Sequence, residues 1–211
     1  MNRLAFLAVV APLAFGFGSS PSPDWTKAYP LRNHSIFKVT INETGGCTAW
    51  GLDRAAYLLV TASHCVEDYD TQEPYDSLSV EGKDVKVIAV NHDLDIALIR
   101  VKGLYIIPLK VAETAPLVGS EVCLIGHGFG DETPYLSVGH IASMDPYQFE
   151  KTSGYVIFAS VIGGMSGGPI LNSKLEVVSI VQMGGHGHAF NMAEGIATPD
   201  LVEWLRSVTT V

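Results

Sequence analysis

The hydrophobic and polar positions of this chain fall into short runs. Most are four to nine residues long, rich in β-branched and aromatic side chains, and bounded by Gly, Asp, Asn or Pro, which is the signature of strands rather than helices. In the first half the pattern predicts strands at Ser35 to Asn42, Thr48 to Gly51, Ala56 to Thr61, Ser77 to Val80, Lys83 to Asn91 and Ile96 to Val101. A Pro- and Gly-punctuated interval, Pro108 to Gly119, follows. The second half repeats the style at Glu121 to Gly126, Tyr135 to Ala142, Tyr155 to Phe158, Gly168 to Leu171, Val177 to Gln182 and Glu194 to Ala197. Asn172-Ser173-Lys174 reads as a hairpin tip.

The period changes only at the end. Thr198 suits an N-cap, Pro199 the first helical position and Asp200 the positive end of a helix dipole, while Leu201, Val202, Trp204, Leu205 and Val208 give a helix-compatible apolar face. Two strand-rich halves and one closing helix predict an all-β protein: two six-stranded antiparallel β-barrels packed together, with a short C-terminal helix. The expected barrels span about 31–108 and about 116–211.

The amino terminus departs from this pattern. Arg3 precedes an uncharged, mostly apolar stretch from Leu4 to Gly18, about fifteen residues against the about 20 that a membrane-spanning helix needs. A signal peptide over 1–18 is the reading, followed by a leader over 19–30 and a mature chain starting near Ser19; a membrane role arises only if this segment is not cleaved. The expected location is therefore secreted or periplasmic, and the protein is expected to act as a monomer.

Composition narrows the function. At 47% hydrophobic and 17% charged residues, the 211-residue chain has material for a substantial core. A net charge of −9 opposes polyanions, so nucleic acid is not expected as a partner. Three cysteines, Cys47, Cys65 and Cys123, suit an exported protein with one disulfide and one remaining thiol; arithmetic alone leaves three pairings open. No metal or cofactor is expected. His186 and His188 lack the helical spacing of a zinc site and read as loop residues or as partners of an acidic substrate group. Glu67, Asp68, Asp70, Glu73 and Asp76 read as a solvated acidic loop without the glycine pattern of a calcium-binding EF-hand.

Three segments carry candidate chemistry. Thr61-Ala62-Ser63-His64-Cys65 brings a histidine out of a buried strand, where an imidazole can accept and return a proton near neutral pH. Asp95 enters the apolar run Ile96-Ala97-Leu98-Ile99, where a carboxylate needs a partner to offset its desolvation; the bland alternative is a turn cap. Gly163-Gly164-Met165-Ser166-Gly167-Gly168-Pro169 surrounds one serine with residues that let backbone amides approach its oxygen, as an oxyanion site requires, or else it is a plain glycine turn.

Together they occur in the order His, Asp, Ser. TASHC, DIALI and GMSGGP resemble the signatures of trypsin-like serine proteases, and the likeness covers roughly Gly46 to Trp204. Val118-Gly119, Val122, Ile125-Gly126 and Phe129-Gly130 are similar to the second barrel of the HtrA branch, a likeness limited to the protease domain, with no PDZ domain. The resemblance implies a serine endopeptidase working through an acyl-enzyme on protein or peptide substrates, with His64, Asp95 and Ser166 as its triad and the amides of Gly164 and Ser166 as its oxyanion hole. It implies a Cys47–Cys65 disulfide, Ser160 at the floor of the primary pocket, and Gln182, Met183, Gly184 and Gly195 in its walls. A catalytically silent binding module and a serine esterase are the rival readings. Where trypsin places an aspartate before the nucleophile, this chain has Met165, so activation through a freed amino terminus is not expected.

Overall fold

The structure is a computed structural model, and it describes residues 22–144, 154–184 and 191–209. The described residues form fourteen strands in two antiparallel seven-stranded sheets. The first contains β1 (Ile36–Ile41), β2 (Gly45–Asp53), β3 (Leu58–Thr61), β4 (Leu78–Val80), β5 (Lys83–Asp84), β6 (Lys86–Asn91) and β7 (Ile96–Arg100), in the order β5-β4-β1-β2-β3-β7-β6. The second contains β8 (Glu121–Gly126), β9 (Tyr135–Ser143), β10 (Gly154–Phe158), β11 (Pro169–Leu171), β12 (Val177–Ile180), β13 (Met183–Gly184) and β14 (Met192–Ile196), in the order β12-β11-β8-β9-β10-β14-β13. Helix α1 (Thr198–Thr209) closes the chain.

The seventh strand of each sheet is the end of a bent sixth. Only Val85 separates β5, paired with β4 at one edge, from β6, paired with β7 at the other. In the same way Val181 and Gln182 link β12, paired with β11, to β13, paired with β14. Each sheet thus curls until one bent segment joins its two edges, which removes the exposed edge strands of an open sheet. The strand expected at Lys83 to Asn91 is this closing segment in the first barrel.

Why the strands read as continuous apolar runs follows from their burial on both faces. In β3, Leu59 joins the interior of the first barrel with Phe37, Val39 and Ile99, while Leu58 and Val60 turn outward. There they meet Cys123, Ile125, Leu171 and Ile180 of the second barrel. In β8, Val122 and Leu124 enter the second interior with Ile141, Tyr155 and Ile170. Trp50 is fully buried in the shared layer; truncating such a side chain costs about 3–5 kcal/mol.

Helix α1 lays Leu201, Trp204 and Leu205 on this same layer. The capping role expected for Thr198 is not what its hydroxyl does: Oγ1 donates to Val178 O at 2.7 Å and meets Tyr155 Oη at 2.9 Å, tying the helix start to β12. The leader expected to run to Pro30 also differs. From Trp25 the chain forms two 3-10 turns, Ala28 is fully buried, and Trp25 Nε1 donates to Glu121 Oε1. These residues lack any strand or helix period, so only the tertiary structure reveals their place in the core.

Candidate active site

The site lies where the barrels meet. β3 runs out of the first barrel into a 3-10 turn, Ser63–Cys65, that presents His64. The Cys47–Cys65 disulfide, with Cα atoms 5.9 Å apart, ties this turn to β2. Closing a loop of this size restricts the unfolded chain by about 3 kcal/mol in the chain-entropy view. Cys123 is a buried free thiol whose pKa burial pushes up to about 12, which leaves it protonated and unreactive at neutral pH.

Asp95 stands at the entry to β7 with a left-handed backbone, φ 44°. Its loop is held by Leu94 N–H donating to Asn91 Oδ1 at 3.0 Å and Asp95 N–H to His92 O at 3.1 Å. The carboxylate faces His64: Nδ1 lies 2.8 Å from Oδ2 and 3.0 Å from Oδ1. Oδ1 also accepts from the His64 backbone N–H at 3.1 Å and from Ser63 Oγ at 2.7 Å. Because a carboxylate only accepts, this contact puts the Nδ1 proton on its side and leaves Nε2 free to take one. Ser63 is 5% exposed and its hydroxyl offsets part of the cost of burying the charge. Its signal in the sequence was the Ser that stands where the family signature TAAHC has its second Ala.

Ser166 is half-buried on a loop of the second barrel. Thr48 of β2 docks this loop on the first barrel: its N–H donates to Ser166 O at 2.8 Å and its Oγ1 to Gly164 O at 2.8 Å. Thr61 Oγ1 donates to Thr48 O at 2.7 Å, and His127 N–H donates to Thr48 Oγ1 at 2.8 Å. Ser166 O is 3.7 Å from Cys65 Sγ, and both disulfide sulfurs lie within 4.8 Å of a His64 ring nitrogen. The two sulfurs are bonded to each other and so do not form a metal site with His64.

Glycines make this docking possible. Gly164 and Gly167 have φ of +98° and +81°, and a Cβ on Gly167 would stand 2.3 Å from both Thr48 O and Thr61 Oγ1. Gly163 O accepts from Phe129 N–H at 2.6 Å. Since a trans peptide is planar with C=O and N–H opposed, the N–H of Gly164 is directed away from the Phe129 turn. Met165 is buried among Val122, Leu124 and Tyr155, so packing, not an ion pair, anchors the residue before Ser166.

Of the expected pocket residues, Gln182, Met183 and Gly184 run beside Gly195 of β14, and Ser160 bonds to Asn191 just before that strand. Ser160 is exposed, with Oγ donating to Asn191 Oδ1 at 3.2 Å. Gln182 spans the barrels: Nε2 donates to Leu94 O, the carbonyl just before Asp95. Met183 and Gly184 pair with Glu194 and Ala193. Gly195 is buried, and a Cβ there would overlap Ser179 Oγ at 2.4 Å, so its place is set by the packing of β14 on β12. His186 and His188 lie outside the described residues, as does the segment read as a signal peptide. In the acidic loop, Glu67 is turned inward and pairs with His92 Nδ1 at 2.7 Å. Asp68 accepts from Thr71 N–H, Thr71 Oγ1 and Asp70 N–H, which holds its pKa below the usual carboxylate range.

His127 is buried behind the Phe129 turn. Its Nδ1 donates to Asp131 O at 2.8 Å, while Nε2 has no hydrogen-bond partner among the described residues. Burial lowers its pKa, against weaker opposing pulls from Asp131 O, Glu132 and Glu81; Lys38 also lowers it. The unfolded chain then binds this proton at higher pH than the folded one, so stability falls as pH drops below about 6.5 and levels off below the folded value. We expect His127→Gln to flatten the fall in urea midpoint between pH 7.5 and 5; an unchanged slope would assign the titration to other groups.

Comparisons with known proteins agree with this picture. A trypsin-like peptidase domain family matches residues 44–180. No curated protein matches the sequence significantly. Among solved structures, the Rv3671c protease from M. tuberculosis in its active form is similar at 19% identity and a TM-score of 0.70, covering 97% of this chain and 96% of that one. The HtrA-type protease AlgW with tripeptide gives 16% and 0.72, covering 89% and 64%. The serine endoprotease from Yersinia pestis gives 13% and 0.71, covering 90% and 68%. With the family match running over more than half its length, the chain belongs to the trypsin-like peptidases.

Proposed function

We propose that this peptidase is an exported serine endopeptidase that cleaves peptide bonds by way of a covalent serine ester. Ser166 Oγ attacks the carbonyl carbon while His64 Nε2 takes its proton; the imidazolium then returns that proton to the leaving amine, and water repeats the cycle to release the acid. Asp95 fixes the imidazole tautomer and stabilises its charged form. The amides of Gly164 and Ser166 receive the oxyanion, and each donor of this kind contributes about 3–4 kcal/mol.

The observation that carries this reading is the His64–Asp95 contact standing beside the docked Ser166 loop. The Cys47–Cys65 bond is compatible with an extracellular or periplasmic setting. Purified protein incubated with unfolded casein is expected to yield new internal termini, in amounts suppressed by a fluorophosphonate. Hydrolysis of simple esters without any cleavage of casein would favour an esterase, and inertness toward both a silent binding fold.

A further inference from the structure

Beside the nucleophile loop stands a hydrophobic surface that the core does not explain. Phe129 is 73% exposed, although its backbone is left-handed, φ 56°. A phenylalanine gains little for folding when its ring faces water, and the left-handed region disfavours it by about 1–2 kcal/mol relative to glycine. Tyr135, 43% exposed, meets its ring edge-on with centroids 6.3 Å apart. Ile162 and Tyr135 pack over Gly128, where a Cβ would stand 2.2 Å from Ile162 Cδ1 and 3.1 Å from Tyr135 Cδ2.

The patch is built rather than incidental. Phe129 N–H is held by Gly163 O, Asp131 Oδ2 accepts from Tyr135 Oη at 2.6 Å, and Lys38 of β1 reaches Glu132 at 2.7 Å. The turn is thereby fixed to the nucleophile loop on one side and to the first barrel on the other. Gly130 lies against Gly46, the neighbour of Cys47: a Cβ on Gly46 would be 2.8 Å from Gly130 Cα.

That last contact gives the patch a direction. In an acyl transfer the leaving amine takes its proton from the general base, so the departing half of the substrate lies on the imidazole side of the serine. The Cys47–Cys65 disulfide flanks His64, and the Phe129 turn lies beyond it, against Gly46. We propose that Phe129 and Tyr135, backed by Ile162, form a subsite that takes a large apolar side chain of the substrate on the leaving-group side of the scissile bond. The proposal rests on the endopeptidase reading and adds a selectivity to it. Two rings at right angles offer a face and an edge to a leucine or phenylalanine side chain and no partner for a buried charge.

The test is a peptide series identical up to the scissile bond, with the first two residues after it varied among Leu, Phe, Gly and Asp. For the native enzyme, the best apolar peptide is expected to exceed the Gly peptide in kcat/KM by about 20-fold, the scale of one well-filled apolar pocket. Phe129→Ala and Tyr135→Ala should bring that ratio to within about threefold of one, and Phe129→Leu should keep most of it. A native ratio near one, or a ratio unchanged in both alanine variants, overturns the subsite. If the alanine variants do not fold, the native ratio and Phe129→Leu decide. No cleavage of any peptide by the native protein overturns the endopeptidase reading itself.

Discussion

Replacing Ser166 with alanine is expected to leave a folded protein whose peptide hydrolysis falls about 10⁵- to 10⁶-fold, the scale seen when one member of an interdependent triad is removed. The fold should survive because the loop is held by its backbone and by its neighbours: Ser166 O by Thr48 N–H, Gly164 O by Thr48 Oγ1, and Met165 by the interior of the second barrel. Thermal unfolding of the variant should match the parent within the small change expected of a half-buried hydroxyl. Casein cleavage at near the parental rate would transfer the chemistry to some other group.

Asp95→Asn should be nearly as damaging to turnover, by about 10⁴-fold, through the imidazole it orients. Asp95 Oδ1 accepts from Ser63 Oγ and the His64 backbone N–H, and both carboxylate oxygens lie near His64 Nδ1. An amide offers one oxygen in place of two. If that oxygen stays with Ser63 and the His64 N–H, the amide nitrogen faces Nδ1 and favours the tautomer with its proton on Nε2. A base already carrying a proton at Nε2 cannot accept one from Ser166. The loss should fall on kcat, with KM little changed, since Asp95 is placed to touch His64 and not the substrate. A KM effect without a kcat effect would make Asp95 a structural residue of the β6–β7 loop.

Strands buried on both faces were the most legible part of the sequence. Glu121 to Gly126 is strand β8 to the residue, because an unbroken apolar run bounded by Gly126 has one reading in a chain with this spacing of turns. The two-barrel plan was legible for the same reason. What the pattern could not show was that Lys83 to Asn91 serves both edges of its barrel, since edge pairing depends on partners far away in the chain.

The candidate site was legible where a residue type is unusual in its setting: a histidine after a buried strand, a carboxylate entering one, a serine among glycines. Residues that act through small polar contacts left a fainter trace. Thr48 looks like any strand threonine until its two bonds to the Ser166 loop are seen. Gln182 was placed in a pocket wall by resemblance alone; that its amide also reaches across the barrels to Leu94 O had no signal in the sequence. An aromatic residue in a glycine-rich turn, Phe129, marked only a resemblance in sequence; its exposure and its left-handed backbone became evident in three dimensions.

One measurement bears most directly on the account: labelling of the folded protein with a fluorophosphonate, followed by peptide mapping of the adduct by mass spectrometry. A single modification on Ser166, lost in His64→Ala and after unfolding in urea, is the predicted result. An unlabelled Ser166 in folded protein, or labelling that persists at the same rate without His64, would contradict the claim that imidazole and hydroxyl work together across the barrel junction.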